Sequence, residues 1–177
     1  PMSLKEIEVF TSKFTWFEIG SEPEKWDPQT RETADHSLAY IFARALFDGP
    51  IRVSSFNDEA VRDPALRPLM QKIKVITDDA IEALLPAKVL IRVIATTQDG
   101  ARHFVEVENP LGHPDNPMQD HHIEEKFMAL AERALGKDRA LNALESWWRV
   151  QQSNDVGALI QLLDVPAAAR RHDAKIE

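Results

Sequence analysis

The order of apolar and polar positions divides the chain into segments of different period. From Lys5 to Phe17 (KEIEVFTSKFTWF), β-branched and aromatic residues dominate and alternate in part with polar ones, which predicts a strand. Gly20 to Gln29 holds one Gly, two Pro and several charges, the makeup of a loop. The period then lengthens. Leu38, Ile41, Phe42, Ala45 and Leu46 fall on one face of a helix. Thr33 or Asp35 is expected to cap it, and Asp48-Gly49-Pro50 to stop it, with Gly49 free to turn left-handed. A second helix is expected over Asp58 to Lys72, with Leu66, Leu69, Met70 and Ile73 on its apolar side, and with Pro64 where a helix can begin again. Lys74 to Thr77 is a short strand candidate.

Val89 to Thr97 and Ala101 to Glu108 are β-rich runs that meet at Asp99-Gly100, a sequence favoured in two-residue type I′ hairpins. Such a turn would pair Gln98 with Ala101, Thr96 with His103 and Ile94 with Val105. Asn109 to Met118 is a loop with three prolines. Asp120 is expected to cap a helix that turns Ile123, Phe127, Leu130, Ala131 and Ala134 inward and ends at Gly136. Asp138 caps another, with Leu141, Leu144 and Trp148 inward. Asn154 or Asp155 starts a last short helix, ended by Val165-Pro166. This order of elements predicts an α+β fold, with an antiparallel hairpin or small sheet packed by helices, over residues 1–166. A polar tail over 167–177 is expected to be mobile.

Composition narrows the chemistry. The chain has 177 residues, and 21 Lys and Arg against 29 Asp and Glu leave a net charge of −8. Without a basic block this argues against nucleic acid as a partner. No cysteine is present, which removes thiol nucleophiles, thiolate zinc sites and iron–sulfur ligation by this segment. The apolar runs fall short of the ~20 residues of a membrane span, and charge interrupts the first ten residues where a secretory leader is apolar. A cytoplasmic setting, with no membrane partner, is the expectation. No glycine-rich phosphate loop, Gly-x-Ser-x-Gly elbow or His-x-x-x-His spacing occurs.

Two loop-to-helix junctions hold the remaining candidates. Arg31-Glu32-Thr33-Ala34-Asp35-His36-Ser37 gathers a guanidinium, carboxylates, an imidazole and hydroxyls. Arg31 has the geometry to grip a carboxylate with two parallel hydrogen bonds, and His36 the pKa range to move a proton at neutral pH. By residue type alone the plainer reading outweighs this one: Thr33 and Asp35 as caps, and Arg31 with Asp35 as a surface pair. The second junction is Gly112-His113-Pro114-Asp115-Asn116-Pro117-Met118, followed by Asp120-His121-His122. Neighbouring helical side chains point ~100° apart, so His121 and His122 are poorly placed to share an ion, and no metal is expected. Trp147-Trp148 fits a core residue with a partly exposed neighbour, and Glu106 and Glu108 a solvated edge.

These junctions carry a family resemblance. Pro23-Glu24-Lys25-Trp26-Asp27-Pro28, Arg31-Glu32-Thr33, Asp35-His36-Ser37-Leu38, Tyr40-Ile41-Phe42-Ala43, Ala45-Leu46 and Asp48-Gly49 resemble a segment of the MmgE/PrpD family. Gly112-His113-Pro114, Asn116-Pro117-Met118, Asp120 and Glu125-Lys126-Phe127 resemble its proline-rich loop and following helix. The Arg-Glu-Thr-x-Asp-His-Ser string is similar to the 2-methylcitrate dehydratase branch, although Ala34 and Ala39 depart from it. The likeness extends from Lys5 to about Leu163. It implies the smaller α+β C-terminal domain of a longer enzyme, which also has a helical domain and a site between the two.

The implied chemistry is loss of water from a tricarboxylate in propionate catabolism, with no cofactor. By this resemblance, His36 and Asp35 are catalytic candidates, and Arg31, Ser37 and His113 substrate-binding ones. The implied partners are the helical domain and a second copy in a homodimer. Taken alone, the chain is expected to be inactive. The alternatives are a cis-aconitate decarboxylase-like or epimerase-like relative, or a noncatalytic binding or oligomerisation module.

Overall fold

The computed structural model describes residues 3–165 and divides the chain into two compact units, 1–110 and 111–177. The expected tail over 167–177 lies outside the described residues. The first unit is built on β1 (Leu4–Thr11), which pairs in parallel with β2 (Ile73–Thr77) and antiparallel with β3 (Leu90–Thr97). β3 pairs antiparallel with β4 (Arg102–Glu108), giving the order β2-β1-β3-β4. The class is α+β as expected, with one parallel pair in a mostly antiparallel sheet. A parallel pair needs a long crossover, and the helices between β1 and β2 supply it.

That crossover begins earlier than the hydrophobic pattern suggests. The strand ends at Thr11, and Ser12 caps α1 (Lys13–Ile19) by accepting the Thr15 N–H at 3.1 Å. The aromatic run that reads as a strand's second half is thus helical, because one serine accepts a first-turn N–H that the helix itself leaves free. α2 (Arg31–Asp35) and α3 (Leu38–Asp48) follow. Gly49 closes α3 at φ 89°, the conformation its lack of a side chain permits. The predicted second helix is broken into α4 (Asp58–Val61) and α5 (Arg67–Met70), with a turn opening at Pro64 between them. Proline cannot donate into a continuing helix.

Packing turns α3 differently from its apolar stripe. Leu38, Ala39, Tyr40 and Ala43 are buried, together with Arg44, whereas Ala45 and Leu46 are exposed. Polar tips make this possible. The Tyr40 hydroxyl donates to the Ser55 carbonyl at 2.5 Å, and the Arg44 guanidinium donates to Asp48 at 2.6 Å and to the Ala60 carbonyl at 2.7 Å. These side chains join Ile7 and Val9 of β1, Ile73 of β2, and Leu66, Leu69 and Met70 in one core.

The cap of α3 is Ser37, not Thr33 or Asp35. Its hydroxyl accepts the Tyr40 N–H at 3.0 Å and donates to the Lys25 carbonyl in the loop before α2, and the residue is fully buried. Thr33 belongs instead to the start of α2, where its N–H is accepted by the capping hydroxyl of Thr30.

After α6 (Asp79–Glu82), the hairpin lies where the two β-rich runs meet, but its register is shifted by one residue. The Gly100 N–H donates to Thr97, the Thr97 N–H to Ala101, and Gly100 takes φ 86°. Only Gly100 of the central residues is left-handed, so the turn holds three residues instead of a type I′ pair. Thr96 therefore faces Arg102, Ala95 faces His103 and Ile94 faces Phe104.

In the second unit, α7 (Asp120–Leu135) and α8 (Lys137–Trp148) are joined through Gly136 at φ 79°, and Asp155 caps α9 (Val156–Gln161). Gln119 and Gly136 occupy the cap positions expected for Asp120 and Asp138, which lie in the first turns instead. Leu135, Ala140, Ala143 and Leu159 are buried, while Ile123, Leu130, Leu141 and Trp148 stay partly exposed. So small a helical unit covers only part of its apolar surface. Among the described residues, no helix is long and apolar enough to cross a membrane.

The buried Ser37 hydroxyl gives a stability prediction. Ser37→Ala removes a cap and leaves the Lys25 carbonyl without its donor, and is expected to lower unfolding stability by about 2–3 kcal/mol. Thr33→Ala, on the exposed side of α2, is expected to change it by less than about 0.5 kcal/mol. Denaturant midpoints of the two variants check both values.

Candidate functional site

The first junction is held from below by backbone carbonyls and displayed above. Trp26 donates its indole N–H to the Gly20 carbonyl at 2.9 Å. Arg67, forty residues on, donates to the Asp27 carboxylate at 2.6 Å and to the Pro28 carbonyl at 2.8 Å. With the Ser37 bond to Lys25, these contacts fix the segment leading into α2. Much of the sequence string that looked chemical is therefore framework, Ser37 included. Its hydroxyl is spent on two backbone partners, so it positions its neighbours.

His36 follows the last residue of α2. Its Nδ1 lies 2.5 Å from Asp35 Oδ1 and 3.1 Å from the Glu32 carbonyl oxygen. Both partners accept, so Nδ1 carries the proton, an assignment made from the hydrogen-bond pattern. The neutral ring then holds its lone pair on Nε2, and the side chain is 65% exposed. The Glu32 carbonyl, and after it the Asp35 carboxylate, raise the His36 pKa above the ordinary histidine value, against a weaker opposing push from the Lys25 ammonium. Lys25 is itself engaged by the Glu18 carbonyl and by Glu22 at 2.8 Å. An imidazole with one nitrogen fixed by a carboxylate and the other open suits proton transfer.

Arg31 lies in the first turn of α2 and is exposed. The expected Arg31–Asp35 surface pair does not form, because Asp35 directs its carboxylate to His36. Among the described residues, the Arg31 guanidinium has no hydrogen bond or ion pair, which leaves all its donors to an outside anion. Asp35 and His36 are thus brought together, and Arg31 shares their helix. His113 belongs to the second unit, where its Nδ1 accepts the Asp115 N–H at 3.2 Å and stands 3.8 Å from the Asp115 carboxylate.

The His121 and His122 rings lie closer than their expected divergence suggests, with centroids 3.8 Å apart, and His122 Nδ1 accepts the Gln119 N–H at 3.0 Å. Among the described residues no group of three or more His, Asp or Glu is assembled to hold a metal. Trp148 donates its indole N–H to Glu124 at 2.9 Å, and Glu106 and Glu108 pair with Arg92 and Lys88. The Glu32 carbonyl and Lys25 were not singled out from the sequence. Only the spacing of Glu32, four residues before His36, hinted at the first.

Comparison with known proteins bears on this junction. The model of the MmgE/PrpD C-terminal domain matches residues 1–149, which include all of the first unit. The chain belongs to the MmgE/PrpD family. It is similar to a cis-aconitate decarboxylase of Homo sapiens, 28% identical over 141 residues, covering 79% of the chain and 29% of that protein. The Mus musculus cis-aconitate decarboxylase is 25% identical over 144 residues, covering 79% of the chain and 28% of that protein. The chain thus spans less than a third of the length of these relatives. Within this MmgE/PrpD domain, α2 carries the exposed acid–imidazole pair.

The His36 hydrogen bonds predict a titration. By NMR, the His36 ring titrates above the ordinary histidine midpoint of about 6.5. A raised value means that the charged form is favoured in the fold. Its stabilisation is therefore complete below the unfolded midpoint and fades as pH rises through the folded one. Asp35→Asn lowers the midpoint only partway, because the Glu32 carbonyl remains.

Proposed function

We propose that this chain is the C-terminal domain of a tricarboxylate lyase and supplies its anion-holding and proton-transferring edge. The observation that carries this reading is the exposed Asp35–His36 pair at the end of the short helix whose first turn holds Arg31, a side chain unpaired among the described residues. The first reading is dehydration of a 2-methylcitrate-type substrate, supported by the Arg31-to-Ser37 string. Loss of water from such a molecule requires a base for the proton beside a carboxylate, an acid for the departing hydroxyl, and cations on the carboxylates. Neutral His36 takes the proton at Nε2 while Asp35 holds Nδ1–H, and the imidazolium that forms is stabilised by the same carboxylate. Arg31 grips a substrate carboxylate by its paired N–H groups.

The two cis-aconitate decarboxylases favour a second reading. There, a carboxylate leaves as carbon dioxide and the carbon it leaves behind takes up a proton. Protonated His36 would donate that proton, so the dyad serves both reactions with opposite starting protonation. The resemblance implies a site shared with a helical domain, so the chain alone is expected to show no turnover.

The test uses a full-length homologue assayed with 2-methylcitrate and with cis-aconitate. His36→Ala is expected to lower kcat by about 10²–10⁴, the usual worth of a positioned acid or base. Arg31→Ala is expected to act chiefly on KM. The accepted substrate decides between the two readings. Unchanged kcat/KM in His36→Ala contradicts both, and turnover by the isolated chain contradicts the need for a helical domain.

A further inference from the structure

Lys25 lies in the short turn before α2 (Pro23–Trp26), and its side chain is only 13% exposed. A lysine so far from water keeps its charge only where acceptors receive its protons. Two acceptors do so here. The ammonium donates to the Glu18 carbonyl in the last turn of α1, and it stands 2.8 Å from the Glu22 carboxylate. These partners differ in kind. The Glu18 carbonyl is backbone and fixes the ammonium in place. Glu22 is a long side chain, 62% exposed, at the residue before the turn, where it makes no capping hydrogen bond. An ion pair with one partner still in water contributes little, so this carboxylate can leave at small cost. Lys25 is thus a positioned cation with an exchangeable counterion.

This cation belongs to the His36 junction. The Lys25 carbonyl accepts the hydroxyl of Ser37, the residue after His36. The Glu32 carbonyl and then Asp35 favour the charged imidazole, and the Lys25 ammonium opposes it. Arg31, whose guanidinium has no partner among the described residues, lies on the helix that ends beside His36. Two cations therefore attend one acid–imidazole pair. The first is open, and the second is covered by a carboxylate of the chain itself.

We propose that Lys25 is a second carboxylate-holding residue of this site, and that Glu22 occupies it until a carboxylate of the bound molecule takes its place. The proposal rests on the lyase reading, in which Arg31 holds one substrate carboxylate, and adds a residue that holds another. Lys25 suits such an exchange. An ammonium is a point charge, so a new carboxylate needs no fork to align with. The incoming group replaces Glu22 charge for charge, on a cation already stripped of most of its water, and Glu22 returns to solvent. Glu22 therefore weakens binding by competition, and only while Lys25 is present.

The probe is tricarballylate, a tricarboxylate with no hydroxyl to lose and no double bond. The chain is titrated with it while the His36 ring resonances are followed by NMR. Glu22→Gln, which removes the competing charge and no cap, is expected to tighten binding about three- to fivefold. Lys25→Met is expected to weaken it by a similar factor. In the double variant Glu22→Gln should give no gain, because no cation is left to uncover, and this non-additivity marks direct competition. Glu24→Gln makes the same charge change two residues on, in an exposed position. It controls for general repulsion of an anion by a chain of net charge −8, and should leave the affinity within about twofold. Before any ligand is added, Lys25→Met should raise the His36 midpoint and Glu22→Gln should lower it, which loss of folding would not do. Equal tightening by Glu22→Gln and Glu24→Gln, a gain that persists without Lys25, or no effect of Lys25→Met would each overturn the proposal. Arg31→Ala reports the lyase reading separately: loss of the response supports that reading, and an unchanged response contradicts it. If tricarballylate leaves His36 of the unaltered chain unmoved, both fall.

Discussion

The buried hydroxyl of Ser37 is the constraint on which the display of α2 depends. It ties the loop at Lys25 to the first turn of α3, and it does so at a fully buried position where neither partner can turn to water instead. α2 is only five residues long and too short to persist by itself. It holds its orientation because both ends are tied, by the Thr30 cap at one and the Ser37 bond at the other. Arg67, reaching Asp27 and Pro28 from α5, secures the same segment from the core side. A framework of backbone acceptors thus keeps an exposed dyad in place.

The larger features of the fold were legible because they rest on local signals. Gly49 and Gly136 mark helix ends by their left-handed backbone, and the β-rich runs around Asp99-Gly100 mark a hairpin. Errors arose where one side chain decides between alternatives that propensity leaves balanced. Ser12 converts an aromatic strand pattern into α1. One left-handed glycine instead of two left-handed residues shifts the hairpin by a residue. In α3, Tyr40 and Arg44 are buried because their tips find Ser55, Asp48 and Ala60. No count of apolar positions along the helix contains those partners.

The site divides in the same way. Seven consecutive residues looked uniform in sequence, yet the fold separates them into supports and displayed groups. Asp35 and His36 are adjacent, so their pairing was within reach of the sequence. The Glu32 carbonyl needed the helical turn, and the framework role of Ser37 needed the loop at Lys25. Arg31 acquires meaning by subtraction: its expected partner is taken by the imidazole. In a chain of net charge −8, a guanidinium that is unpaired among the described residues, on a displayed helix, is well suited to an anionic substrate.

The central claim is that Asp35 tunes a proton-transferring His36. The pH dependence of kcat/KM tests it most directly, measured in a full-length homologue with and without Asp35→Asn. If neutral His36 is the base, activity rises with pH through its raised pKa, and Asp35→Asn moves that acidic limb to lower pH while reducing the plateau. For a decarboxylation driven by the imidazolium, the basic limb moves in the same direction. A profile whose limbs stay in place when Asp35 loses its charge would contradict the account.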